Sequence, residues 1–182
     1  LLSIERENTD KITKYISDSR RHQIEILSPD INESESDFTV LSSNQIRFGL
    51  GAIKGVGEIA IDSMRETRKT QGPFKDLHDL CTRVNPRTVN KRVLEAFIKA
   101  GALDSFKIGR ATLFAAVDEA LELGSQMQKT KDDNQPSFAD FFGETEETFS
   151  VRKITYPTVS PWDRLLELKY ESGWTSNNTS IY

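Results

Sequence analysis

The sequence predicts a mainly α chain with a small β part. Three observations carry this. Four stretches between residues 58 and 121 repeat apolar residues at helical spacing. Three short runs before residue 50 have strand character and are separated by turn residues. Residues 124–161 are polar, acidic and aperiodic, which predicts a partly disordered linker.

The elements follow in order. Asn8, Thr9 or Asp10 can cap a helix running to about Arg20, with Ile12, Tyr15 and Ile16 on one face. IEIL at 24–27 is a short strand, closed by Ser28-Pro29-Asp30. DFTV at 37–40 and QIRFG at 45–49 flank the turn-rich LSSN of 41–44 and predict a β-hairpin. From Leu50 the periodicity becomes helical. Glu58 to about Thr70 is a helix, with Val56, Ala60 and Met64 at steps of four and Ile61 beside them; Gln71-Gly72-Pro73 stops it. Phe74, Leu77, Leu80, Cys81 and Val84 form the next stripe, closed by Asn85-Pro86. Val89, Val93, Ala96, Phe97 and Ala100 form a third, ending at Gly101. Leu113, Phe114, Val117, Ala120 and Leu121 form a fourth. Trp162, Leu165, Leu166 and Lys169 start a further helix, and SGWTSNNTSIY at 172–182 reads as disordered or foreign to any fold.

Composition excludes several classes. At 36% apolar and 29% charged residues, the chain reads as a soluble globular protein. No run is long and apolar enough for a membrane helix, and no basic-then-apolar N-terminus marks a signal peptide. The chain starts at Leu1 rather than Met and is expected to be a piece of something longer. Cys81 is alone, which rules out a disulfide framework and makes the cytoplasm the expected compartment. With one Cys, and His22 and His78 far apart, no zinc site is expected. The net charge of −4 is unevenly spread. Residues 1–43 carry 5 Lys/Arg against 9 Asp/Glu, residues 44–114 carry 13 against 7, and residues 115–182 carry 6 against 12. A basic middle between acidic flanks fits a nucleic-acid-binding segment, although ordinary scatter of surface charge produces such patterns too.

The stretch LGAIKGVGEIAI at 50–61 sets Gly55-Val56-Gly57 between an apolar run and a helix. It has a weak echo forty-five positions later, where Ile98-Lys99-Ala100-Gly101-Ala102 also closes an apolar stretch; the helix after it starts near Gly109 or Arg110. A helix, a tight turn of small residues and a second helix make a helix-hairpin-helix. Glycine supplies positive φ or close backbone approach. The first amides of the following helix lack intrahelical partners and carry the positive end of its dipole, so a phosphate is their natural occupant. Lys54 adds charge. The alternative is that the glycines only shape a turn, and a lone GxG favours that alternative. The position before a helix, the echo and the basic segment together favour a grip on the DNA backbone that reads no bases. Lys54, Gly55, Val56, Gly57, Lys99, Gly101, Lys107 and Arg110 are its candidate residues. Glu58 suits a helix N-terminus but would sit near phosphate, so it is expected to face sideways.

These residues carry a family likeness. IRFGLGAIKGVGEIAI, GPFKDLHDLC and VNKRVLEAFIKAGALDS, with NTDKITKYISDSRRHQIEILSPDIN and DFTV upstream, resemble the bacterial DNA polymerase III alpha subunits, the C-family replicative polymerases. The likeness covers about residues 5–171. It implies that 1–43 are the end of a fingers region, here a small α/β remnant. Residues 44–124 would be a tandem helix-hairpin-helix domain that contacts double-stranded DNA. Residues 125–161 would be an acidic linker, and 162–182 the truncated or aberrant start of a next region. The palm aspartates of that family lie upstream, so this chain by itself is not expected to polymerise, to hold catalytic residues or to bind metal. The parent chain would be a nucleotidyltransferase using magnesium, alongside other replicase subunits. In that family a peptide near the acidic segment docks on the sliding clamp. Phe138, Asp140, Phe141 and Phe142 have a similar position and spacing, with Phe138 where the family has Gln. Packing of these aromatics onto the helical domain remains the alternative.

Two other classes stay open. A stand-alone helix-hairpin-helix repair enzyme would need a catalytic acid or lysine in a cleft, and Asp62, Asp76, Asp79 and Glu95 instead suit solvated helix faces. A protein-interaction module could use the same helices; salt-dependent duplex binding separates it from the first reading.

Overall fold

The computed structural model describes residues 2–4, 9–132 and 156. Helix α1 spans Thr9–Arg21, and Ile12 and Ile16, one turn apart, are its buried face. Strands β1 (Glu25–Leu27), β2 (Thr39–Ser42) and β3 (Gln45–Arg47) form a sheet of order β1-β3-β2. The expected hairpin is present: β2 runs antiparallel to β3, with an irregularity between Val40 and Ser42 that leaves Leu41 as the extra residue. The strand continues through Leu41 and Ser42, so the turn is shorter than the expected LSSN. β1 pairs in parallel with β3, Ile26 opposite Ile46.

The apolar stripes become helices α2 (Glu58–Gln71), α3 (Leu77–Arg83), α4 (Lys91–Ala100) and α5 (Arg110–Asp132). Their facing side chains, among them Ile61, Leu77, Leu80, Leu94, Phe97, Ile98, Leu113 and Val117, are sealed from solvent in one core. A seven-residue helix such as α3 is too short to persist alone in water. Burial of Leu77 and Leu80, at about 1.5–3 kcal/mol each, is what holds it. Its ends are closed too. Asp76 accepts from the Asp79 amide at its start, and Gln128 on α5 donates to the Val84 carbonyl (2.6 Å) at its end. Asn90 caps α4 in the same way, accepting from the Val93 amide.

Three expectations need correction. The segment before the first hairpin is a single 3-10 turn, Leu50–Ala52, rather than a full helix. The polar stretch from 124 does not begin a linker: α5 continues to Asp132. Gly124 is no helix breaker here. It lets the α5 backbone approach α3 so closely that a Cβ would lie 2.4 Å from the Cys81 carbonyl oxygen. Tyr156, inside the same expected linker, is half-buried against the core, and burial pushes its phenol up, helped by the Asp76 charge. The expected boundary at 43/44 passes through the β2–β3 turn, and both sides share the core.

Gly124→Ala separates propensity from packing. Helix propensity alone would stabilise by about 1 kcal/mol. The backbone contact with Cys81 should instead destabilise by about 1–3 kcal/mol. A lowered urea midpoint is the expected result, and a raised one would mean that α5 does not press on α3 as described.

Candidate nucleic-acid interface

Gly55, Val56 and Gly57 sit where the sequence places them, between the 3-10 turn and α2, but the two glycines differ. Gly55 has φ +88°, a left-handed conformation that other residues adopt at a cost. Gly57 is extended (φ −90°, ψ 155°) and a Cβ on it would meet nothing within 4 Å. It is the N-cap of α2, with no side-chain cap bond. Its carbonyl accepts from Ala60 (3.0 Å) and Ile61 (3.3 Å) to start the helix. Lys54 is exposed, and Val56 packs its side chain on the core. The arrangement is a lip of exposed backbone at the positive end of a 14-residue helix, able to receive an anionic oxygen.

Gly101, read as the second hairpin glycine, does a different job. It is buried, and its left-handed backbone (φ 81°, ψ 12°) ends α4. The Ala102 amide bonds to the Phe97 carbonyl and the Gly101 amide to Ile98, a Schellman closure. Arg110 covers it from outside, so a Cβ at Gly101 would lie 2.1 Å from Nη2. The geometric repeat is fifty-two positions after the first hairpin, not forty-five. A second 3-10 turn, Asp104–Phe106, precedes Lys107, which is left-handed (φ 59°) like Gly55. Ile108 packs on the core like Val56, and Gly109 is exposed like Gly57. The Gly109 carbonyl accepts from the Leu113 amide (2.9 Å) to start α5. Ile61 and Leu113, four residues into each helix unit, are both fully buried.

In both hairpins the first helical side chain is tied back to the protein. Ser36 donates to Glu58 Oε1 (2.7 Å), which turns that carboxylate sideways as expected. Arg110 donates from Nε and Nη2 to Asp104 (2.8 and 2.6 Å) and from Nη1 to the Lys99 carbonyl. Lys99 is mostly buried, lies 5.2 Å over the Phe114 ring and is 3.8 Å from Glu95. Arg110 and Lys99, both read as DNA contacts, thus brace the second hairpin from within. Lys54 and Lys107 are exposed, with no ion pair among the described residues. The sequence reading missed two positions. Gly109 could have been found as the glycine immediately before the fourth apolar stripe. Arg92 on α4 is exposed, and its Nε lies 3.9 Å from where a Gly55 Cβ would be; only the fold brings those two together.

The other chemistry-bearing residues are accounted for structurally. Asp76 caps α3, Asp79 pairs with Arg83 (2.7 Å), Glu95 faces Lys99 and Asp62 faces Arg65 (3.6 Å). A charged cleft between the 32–35 loop and α2 is internally neutralised, Glu35 bonding both Arg65 and Arg68. Burial, helped by Asp76, pushes the Cys81 thiol up to about 12, so it is no nucleophile at neutral pH. Among the described residues no three His, Cys, Asp or Glu side chains are grouped to hold a metal, and no metal chemistry is assigned to them. No described helix is long and apolar enough to cross a membrane. Phe138, Asp140, Phe141 and Phe142 lie outside the described residues.

The two glycines make opposite stability predictions. Gly55→Ala should destabilise by about 1–2 kcal/mol, the strain of a left-handed alanine. Gly57→Asp, with its ordinary backbone and a better cap, should change stability by a few tenths or raise it. Equal losses in chemical denaturation would contradict the distinction.

Comparison with known proteins agrees with this geometry. The helix-hairpin-helix motif family matches residues 23–113, half of the chain. The chain is 40% identical over 171 residues to the DNA polymerase III subunit alpha of Thermus aquaticus, covering 94% of this chain and 13% of that protein. It is 40% identical over 173 residues to the subunit from Neisseria meningitidis serogroup A, covering 95% and 15%. With the Pseudomonas aeruginosa subunit it shares 38% over 162 residues, covering 80% and 14%. The chain thus spans about a seventh of the length of these relatives, and it belongs to the helix-hairpin-helix family in the form that DNA polymerase III alpha subunits carry.

Proposed function

We propose that this chain grips the sugar–phosphate backbone of double-stranded DNA without reading its sequence, as part of a replicative polymerase. The observation that carries the reading is Gly57: neither its backbone conformation nor any neighbour within the protein calls for glycine there. What a side chain at 57 would obstruct is the space in front of the α2 amides. A phosphate placed there accepts from the first amides of α2, gains from the helix dipole and is neutralised further by Lys54. Gly109 offers the same opening at α5, with Lys107 beside it. Backbone donors and lysines contact phosphate oxygens that are the same in every base pair, so the grip positions the duplex and is indifferent to its sequence.

The longer chain would be a DNA-directed DNA polymerase, a nucleotidyltransferase supplied with magnesium by residues outside this segment. Other replicase subunits would reach this segment through that chain. A sliding clamp is a further proposed partner, through Phe138, Phe141 and Phe142. A peptide of residues 133–145 should bind a bacterial clamp and lose binding with Phe141→Ala and Phe142→Ala; a silent wild-type peptide would remove the clamp from the reading.

The central test titrates the full chain with a mixed-sequence duplex at two salt concentrations. Gly57→Val should stay folded and lose about 1–3 kcal/mol of binding, the scale of one or two charge-assisted hydrogen bonds. A folded variant that binds like the parent would sink the backbone grip. Binding indifferent to salt would favour a protein-interaction module.

A further inference from the structure

We infer that Arg92 supplies a guanidinium that closes the first hairpin around a DNA phosphate. The inference rests on the duplex-binding reading above. Helix α4 begins with two adjacent cations, Lys91 and Arg92, which point about 100° apart around the helix axis. Lys91 turns to α5, where its Nζ lies 2.8 Å from Asp118; that bond holds the ammonium's pKa above its ordinary value. Arg92 turns the other way, onto the strip of α4 against which the first hairpin rests. A methyl group on Gly55 would meet Arg92 Nε at 3.9 Å and Ala96, one turn further on, at 4.0 Å.

Arg92 is exposed and, among the described residues, makes no hydrogen bond or ion pair. That separates it from Arg110, which Asp104 and the Lys99 carbonyl immobilise beside the second hairpin. Arg110 staples its hairpin, whereas Arg92 leaves its donors open beside an exposed lip. The planar guanidinium can give two parallel N–H bonds to two oxygens of one phosphate, while the α2 amides approach from the hairpin side. Gly55 is glycine for its left-handed backbone; a Cβ there would only touch Arg92 at van der Waals distance. The two hairpins are therefore unequal. The first holds phosphate with amides, Lys54 and Arg92, and the second with amides and Lys107 alone.

Because Arg92 is exposed and makes no hydrogen bond or ion pair among the described residues, its variants should fold normally. The full chain is titrated with the same mixed-sequence duplex over a range of salt. Arg92→Gln should weaken binding several-fold and reduce the magnitude of the slope of log affinity against log salt by about 0.9, one phosphate's share. Arg92→Lys should keep most of the slope and still lose affinity, because the charge remains and the fork is gone. Lys69→Gln is the control. Lys69 is exposed near the far end of α2, about 16 Å from Glu58, and its loss should leave the slope unchanged. If Arg92→Gln keeps the parental slope while Gly57→Val weakens binding, Arg92 is no phosphate ligand and the hairpin reading survives. If neither change affects binding, both readings fall together.

Discussion

Among the described residues, the two hairpins and the helices around them are tied to one loop, residues 30–36. Ile31, Ser34 and Ser36 are buried, so the polar groups around them must find partners inside the protein. They find them on α2, on the first 3-10 turn and on the residues that flank β3, α3 and α4. Ser34, fully buried, donates its hydroxyl to the Phe48 carbonyl (2.8 Å) and accepts from the Asp30 amide (3.0 Å). Asn32 makes a reciprocal pair with the backbone of Phe74, donating to its carbonyl (2.9 Å) and accepting from its amide (2.7 Å). Arg68 reaches from α2 to the carbonyls of Ile31 and Ser34 (3.1 and 3.0 Å). The Ile31 amide bonds to Ala102, at the end of α4, and the Glu35 and Ser36 carbonyls take the amides of Leu50 and Gly51. Both hairpins are thus hydrogen-bonded, through Ala102 and through Leu50 and Gly51, to the same loop. If both hairpins hold one duplex, as proposed, their separation must be fixed, and that separation passes through residues 31, 35 and 36.

The same network decides which charges a partner can use. Residues 44–114 contain 13 Lys/Arg. Arg47, Arg65, Arg68, Arg83, Lys91, Lys99 and Arg110 each face a carboxylate of the chain itself. The exposed pairs, such as Lys91 with Asp118, contribute little to stability, but exposed or half-buried, every pair cancels field. The electrostatic attraction of the basic segment is therefore carried by the remainder, of which Lys54, Arg92 and Lys107 stand at or beside the hairpins. A composition count overstates the positive surface, and a geometric one locates it.

How much of this could be read from sequence depended on whether a feature was local. The helical stripes were legible because their period is imposed by the core: Ile61, Leu80, Phe97 and Val117 are all sealed from solvent. The first hairpin was legible because GVG stands directly before a helix. The second was placed seven residues early. Gly101 resembles a hairpin glycine, yet its left-handed backbone serves a Schellman closure, and the left-handed hairpin residue is Lys107, a type that rarely takes that conformation. The end of α5 was illegible for a related reason. Gly124 and Gln128 look like linker residues until Cys81 and Val84 are seen against them. Arg92 needed the fold itself, because nothing in the sequence near it points to Gly55.

The choice of residue at 57 then acquires a physical reading. Asp76 and Asn90 show that this protein caps helices with side-chain oxygens where it can. At α2 it does not. Glycine is only a few tenths of a kcal/mol worse than Asp or Ser as an N-cap, whereas alanine or a larger apolar residue would cost about 1 kcal/mol. Asp at 57 would satisfy an amide internally and set a negative charge where the proposed phosphate would sit. Glycine gives up a few tenths in stability and leaves the amides and the space in front of them open. Stability alone would favour a capping oxygen at this position by a small margin. On the proposed reading the opposing preference comes from an anion, whose attraction to open amides and a helix dipole would exceed the few tenths lost.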